Sequence, residues 1–123
     1  MTTVQTLKAA LYSLLDACTT SSVYGGQVPE TATYPYVHFK LPTSNDHEHR
    51  EDFVLEVQCW DKSYNSSGVE TLAQNVDYKL NRSNYNSTGI NFTTYRINRI
   101  TLPSDDEFQG RELKYLVKAY LTT

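Results

Sequence analysis

The sequence predicts an α+β fold: a mostly antiparallel sheet of four to five strands with two helices packed on one face. Three observations carry this. Two segments repeat apolar residues at steps of three and four, the period of a one-sided helix. Four longer segments alternate apolar and polar residues with the period of two expected of a half-buried strand. Their order is helix, short strand, hairpin, helix, hairpin, and such elements bury their apolar faces together by stacking a helical layer on one side of a sheet. The 123 residues read as a single domain, 1–123, large enough to bury a core without metal or disulfide staples.

In the first helix, Val4, Leu7, Leu11, Leu14, Leu15 and Cys18 share a face, and Thr2 with Gln5 reads as a capping box. A short strand around Val23 and Tyr24 ends on Gly25 and Gly26, where the absence of a side chain permits positive backbone angles and a sharp turn. Pro35 holds Tyr34 extended and cannot donate a ladder hydrogen bond, so it suits the mouth of a strand. That strand spans 36–41, with Val37, Phe39 and Leu41 on one face, Tyr36, His38 and Lys40 on the other, and Pro42 ending it.

Residues 43–52, TSNDHEHRED, contain no aliphatic residue and read as a solvated loop or a mobile hairpin tip. FVLEVQCW then sets Phe53, Leu55, Val57 and Cys59 against Val54, Glu56, Gln58 and Trp60, a strand antiparallel to the first. Ser67 and Glu70 read as a capping box for the second helix, whose apolar face is Val69, Leu72, Ala73, Val76 and Leu80. NRSNYNSTG reads as turn chemistry. Two more strands, 92–102 and 111–121, flank the acidic turn PSDDEFQG. Val57, Cys59, Leu72, Val76 and Val117 are expected to meet in one core. The opposite sheet face, with Tyr36, Lys40, Glu56, Trp60, Lys114, Leu116 and Tyr120, is too aromatic to be merely wet and suggests a surface that meets another protein.

A net charge of −3 argues against tight nucleic-acid binding, which needs a dense basic stripe. Lys79, Arg82, Arg96 and Arg99 make at most a modest one. Cys18 and Cys59 lack metal or redox spacing and read as small buried hydrophobes. The N-terminal segment has no basic leader and no continuous apolar run, so neither export nor membrane insertion is expected. Asp46, His47, Glu48, His49 and Asp52 resemble a metal-binding group, but the segment offers no apolar packing to hold converging ligands, and a solvated charged loop is the expectation. His38 has no base or nucleophile partner in its spacing. No nucleophile elbow or phosphate-cradling loop is present. Neither catalysis nor a cofactor is expected.

From the helix LKAALYSLL, through VYGGQVPETATYPYV, to LEVQCWDKSYNSSGVETLAQNVDYKL and the closing LKYLVKAYL, the chain resembles the tail-completion proteins of long-tailed bacteriophages. That family includes tail terminators and tail-to-head joining proteins. The resemblance implies a small α+β protomer that closes into a ring, commonly a hexamer, on the finished tail tube at the head-proximal end of the virion. Its partners would be further copies of itself, the major tail tube protein and the head-completion or connector protein, after assembly in the host cytoplasm. DNA would pass through without sequence-specific binding. In such a ring Asp46, His47, Glu48, His49, Asp52, Arg111, Lys114 and Lys118 are expected at the interface, with Asp46, Glu48 and Asp52 facing basic residues such as Arg111, Lys114 or Lys118 of a neighbour. A head-closure or neck adaptor is the structural alternative, and a small metal enzyme using His47 and His49 the chemical one.

Overall fold

The computed structural model describes residues 3–47, 50–87, 89–103 and 107–121. Its elements are α1 (Thr3–Cys18), β1 (Ser22–Tyr24), β2 (Tyr36–Asp46), β3 (Glu51–Lys62), α2 (Ser67–Leu80), β4 (Ser83–Ser87), β5 (Ile90–Leu102) and β6 (Phe108–Leu121). The fold is α+β with two helices, as the periodicities require. The sheet, however, has six strands in the order β1-β2-β3-β6-β5-β4, not four to five, and it is mixed, because β1 runs parallel to β2. β1 and β4 form the two flanks.

The added strand is β4, within the polar run expected to be a turn. Its side chains gave no apolar alternation, but Tyr85 stacks on Phe92 with ring centroids 4.9 Å apart, and Ser83 pairs with Thr94. Pairing with a strand that already has a buried face overrides the local turn preference. Pro42 also does not end β2. The register slips between Lys40 and Thr43, then continues to Asp46 opposite Glu51. A bulge takes its extra residue out of the ladder, and there a proline sacrifices no paired hydrogen bond. Residues 43–46 and 51–52 therefore lie in paired strand and not in a loop.

β3 and β6 form the middle of the sheet. Phe53 faces Val117, Leu55 faces Tyr115 and Val57 faces Leu113, all essentially buried. The helices supply the other side of this core through Leu7, Leu11 and Leu15 of α1 and Val69, Leu72, Ala73, Val76 and Leu80 of α2. The five residues expected to meet, Val57, Cys59, Leu72, Val76 and Val117, all belong to it. α1 touches β1 near one edge of the sheet and β5 near the other, which the curl of the sheet around the helical layer makes possible. Val4, on the predicted apolar face, is instead 40% exposed. It lies in the first turn of α1, beyond the reach of the core.

The reason for glycine at position 25 is space and not backbone angle. A Cβ there would sit 2.8 Å from the Phe39 ring, whereas among the described glycines only Gly89 has positive φ. The peptide bond between Tyr34 and Pro35 is cis. The predicted capping box of α2 does not form: Ser67 is the first helical residue, its amide donates to Asn65 Oδ1 at 3.1 Å, and the Ser66 cap makes no side-chain hydrogen bond. The box read at Thr2 and Gln5 includes a residue outside the described set.

Leu72→Ala should destabilise the protein by about 2 to 5 kcal/mol in urea denaturation, since it leaves a cavity between α2 and the sheet. A loss below about 0.5 kcal/mol would mean that α2 does not pack through this face. Both cysteines are free, and burial pushes the Cys59 thiol up to about 12. Ellman's reagent should leave Cys59 unmodified in the native state and react with it after denaturation.

Candidate interaction surface

α2 is pinned to β5 and β6 by a polar clamp that the helical periodicity did not disclose. Glu70, expected to cap its own helix, instead accepts from Arg99 on one oxygen and from Arg111 on the other. Two turns on, Asp77 accepts from Arg96 at 3.0 Å and from the Tyr115 hydroxyl at 2.9 Å. Burial, reinforced by this bond to Asp77, raises the Tyr115 phenol well above its ordinary range. At the helix end the Thr94 hydroxyl donates to the Leu80 carbonyl. The bonds of Arg111, Tyr115 and Thr94 satisfy polar groups that the α2 interface removes from water, while those of Arg96 and Arg99 stay nearer the solvent.

The uncovered face of the sheet carries Tyr36, Lys40, Glu56, Trp60, Lys114, Leu116 and Tyr120, as the alternation predicts. Its charges largely satisfy one another. Glu56 lies between Lys40, at 3.6 Å, and Lys114, at 3.9 Å. Lys118 sits 5.9 Å from the Tyr95 ring centroid, an amino–aromatic contact. At one end an aromatic group links β1 and β2 to the start of β6: Tyr24 meets Tyr36 at 5.8 Å, Tyr36 meets Tyr34 at 5.1 Å, and Tyr34 meets Phe108 at 5.2 Å. Trp60 lies across Gly110, where a Cβ would come within 2.6 Å of its ring.

At the other end, the β2–β3 hairpin closes with the His47 amide donating to the Arg50 carbonyl at 2.8 Å. His47 Nε2 is 3.1 Å from Asp52 Oδ2. Arg50 Nε approaches Asp52 Oδ1 to 3.0 Å without hydrogen-bond alignment, so this is a charge contact, and Arg50 also meets the Tyr120 hydroxyl. Ser44 donates to Glu51 at 2.6 Å.

This geometry sorts the residues expected to join neighbouring copies. Asp46 and His47 are exposed near the hairpin tip, while Glu48 and His49 lie outside the described residues. The Asp52 side chain is only 12% exposed and already faces His47 and Arg50. Arg111 points to the helical side of the sheet, with 10% of its side chain exposed and its guanidinium committed to Glu70 and the Gly110 carbonyl. It is thus unavailable to a neighbour, since leaving Glu70 would strand a charge in a largely dry site. Lys114 and Lys118 lie on the uncovered face with contacts of their own.

The exposed surface on the second half of β5 was not expected from the sequence. Tyr95, Ile97 and Ile100 are large and exposed, and a register shift at Ile97 breaks the alternation there. The irregular spacing in YRINRITL was the available signal.

Among the described residues no three His, Cys, Asp or Glu side chains gather as metal ligands, and no helix is long and apolar enough to cross a membrane. His38 is half-buried and bonded to the Gly26 backbone. Burial lowers its pKa from the ordinary 6.5, the Gly26 contact opposes the shift, and Lys40 adds to it.

Glu70→Ala leaves Arg111 without its carboxylate and should cost about 1 to 3 kcal/mol. Arg99→Ala, on the more exposed arm, should cost about 1 kcal/mol or less. Equal losses in urea denaturation would show that the clamp does not depend on Arg111. The His38 midpoint in an NMR titration should fall below 6.5. Because the unfolded chain then binds the proton more readily, His38 contributes stability above the unfolded value that is lost as pH falls through the folded one. His38→Gln should remove that part of the acid sensitivity, and a midpoint above 6.5 would contradict the assignment.

No protein-family model and no curated protein sequence matches the chain. Among solved structures, the chain is similar to a chain in the virion of a native gene transfer agent particle, with a TM-score of 0.73 and 15% sequence identity. The likeness covers 98% of this chain and 99% of the other, so the two share one fold from end to end.

Proposed function

We propose that the chain is a non-enzymatic structural protein of a virion, which closes the finished tail tube as a ring and forms the tail side of the head-to-tail joint. The observation that carries this reading is the end-to-end likeness to a chain of a gene transfer agent virion. It agrees with the resemblance of the sequence to tail-completion proteins. Both point to a component of an assembled particle, and the tail-terminal station comes from the sequence resemblance alone. The partners on this reading are further copies of the chain, the tail tube protein below and the head connector above. DNA threads the ring without base-specific contact, in keeping with the net charge of −3. A head-closure or neck adaptor would use the same protomer.

The physical arrangement suits such a role. The arginines of β5 and β6 hold α2 in place, so the protomer presents a fixed shape to its neighbours. A ring uses heterologous contacts, in which one patch meets a different patch on the next copy. The exposed carboxylate of Asp46 gives one patch an acidic character.

Sedimentation velocity across protein concentration and salt, with tail tubes present and absent, tests the reading. Rings should form and should weaken as ionic strength rises, because exposed ion pairs are screened over about 8 to 10 Å. Asp46→Lys with Glu48→Lys should abolish them while leaving the thermal melt unchanged. A wild-type protein that stays monomeric even with completed tail tubes would overturn the ring.

A further inference from the structure

The two flanks of the sheet are each only half covered. β4 pairs with β5 no further than Thr94, leaving 95–102 without a strand on that side among the described residues. β1 pairs with β2 only over 36–38, leaving 39–46 without a strand on that side among the described residues. We propose that the open half of β5 receives the open half of β2 from a second copy of this chain. The inference rests on the ring reading above and names the surfaces that would build the ring.

The backbone fits this pairing. The Arg96 amide donates to Asn81 Oδ1 at 2.9 Å, so it points away from β6 toward the open side. After the bulge at Ile97 the pairing resumes with Asn98 opposite Lys114, one residue out of step. This turns the backbone groups of Arg99 and Thr101 outward. The sense of the strands fits as well. β2 is antiparallel to β3, β3 to β6 and β6 to β5, so β2 and β5 run in opposite directions. A second copy that continues the sheet in the same orientation therefore brings β2 antiparallel to β5, as at every junction in this sheet but the one with β1.

Side chains on the two edges leave the backbone groups accessible. Between Tyr95 and Leu102 the charged residues are Arg96 and Arg99, with no carboxylate. The open part of β2 carries Lys40, which meets Glu56, and Asp46, which lies opposite Glu51. Ile97 and Ile100, 53% and 38% exposed, add apolar surface to the β5 side. Arg96 and Arg99 each hold a carboxylate of α2, Asp77 and Glu70, so contacts within the chain fix this edge in place.

The short strands also occupy opposite ends. β4 flanks the end of β5 that adjoins the hairpin tip, through Phe92, Ala119 and Glu51, while β1 flanks the far end, near Trp60 and Gly110. Pairing therefore requires neighbours to be staggered by about half a strand, each short strand filling the notch beside the other's. A stagger of this kind closes when strands tilt relative to the axis, as in barrels. The bulges at Ile97 and near Pro42 guard both edges against pairing in other registers.

A benzophenone amino acid in place of Ile100, in the full chain assembled with tail tubes, tests the contact by mass-spectrometric mapping of cross-links. Cross-links should fall on 39–43 of a second chain, centred on Leu41. Thr101→Pro, which removes an outward donor, and Ile100→Lys, which charges the same edge without altering the backbone, should each weaken association about tenfold or more with the melting temperature retained. Rings that cross-link elsewhere, or that form equally well from a folded Ile100→Lys protein, would overturn the edge pairing and leave the ring reading intact. Absence of rings with and without tail tubes would overturn both.

Discussion

The fold depends on one register, that of β3 against β6. Every residue of β3 has a partner on β6, from Glu51 opposite Ala119 to Lys62 opposite Phe108. Because side chains alternate strictly, a slip of one residue would turn Phe53, Leu55, Val57 and Cys59 out to the uncovered face and set Glu56 against the helices. The hydrophobic penalty for that exchange is large, since burying each such side chain contributes roughly 1.5 to 3 kcal/mol. With this pair fixed, β2 and β5 pair outward on either side, and α1 and α2 have one apolar floor on which to lie.

The second level of order is polar. A helix held only by leucines and valines can shift along its axis at modest cost, because apolar contact has little directional preference. Glu70 and Asp77 remove that freedom by meeting arginines and a tyrosine at fixed places on β5 and β6. The same commitment shapes the outside of the protein. With Arg111 turned inward and Glu56 shared between two lysines, the uncovered face has few charges left to direct a partner. The half-open strand edges retain the capacity for directional bonding, and a protein that joins neighbours in a defined register needs that capacity.

What the sequence disclosed follows from which interactions are local in pattern. Both helices, the inward sets of β3 and β6 and the shared core were legible because burial imposes a period on them. β4 was not, since its polar residues take strand form from their pairing with β5. The hairpin was expected, but the continued strand pairing of 43–46 within it was concealed by a lack of aliphatic residues, although the backbone ladder needs none. The capping box at Ser67 and Glu70 was a reasonable local reading that lost to a nonlocal one, because Arg99 and Arg111 lie far along the chain. The same distance hid the true neighbours of Arg111. Asp46 and His47 are exposed as expected, but the open edge of β5 could be recognised only once the length of β4 was known.

On the proposed function this α+β protomer works by assembly at the end of a tail tube, with its sheet edges as joints and its helices as a rigid backing. Electron microscopy of purified tail tubes incubated with the protein tests that claim most directly. The account predicts a collar of cyclic symmetry at one end of each tube, with adjacent protomers continuous through their sheets. Tube ends that remain bare at saturating protein would contradict it.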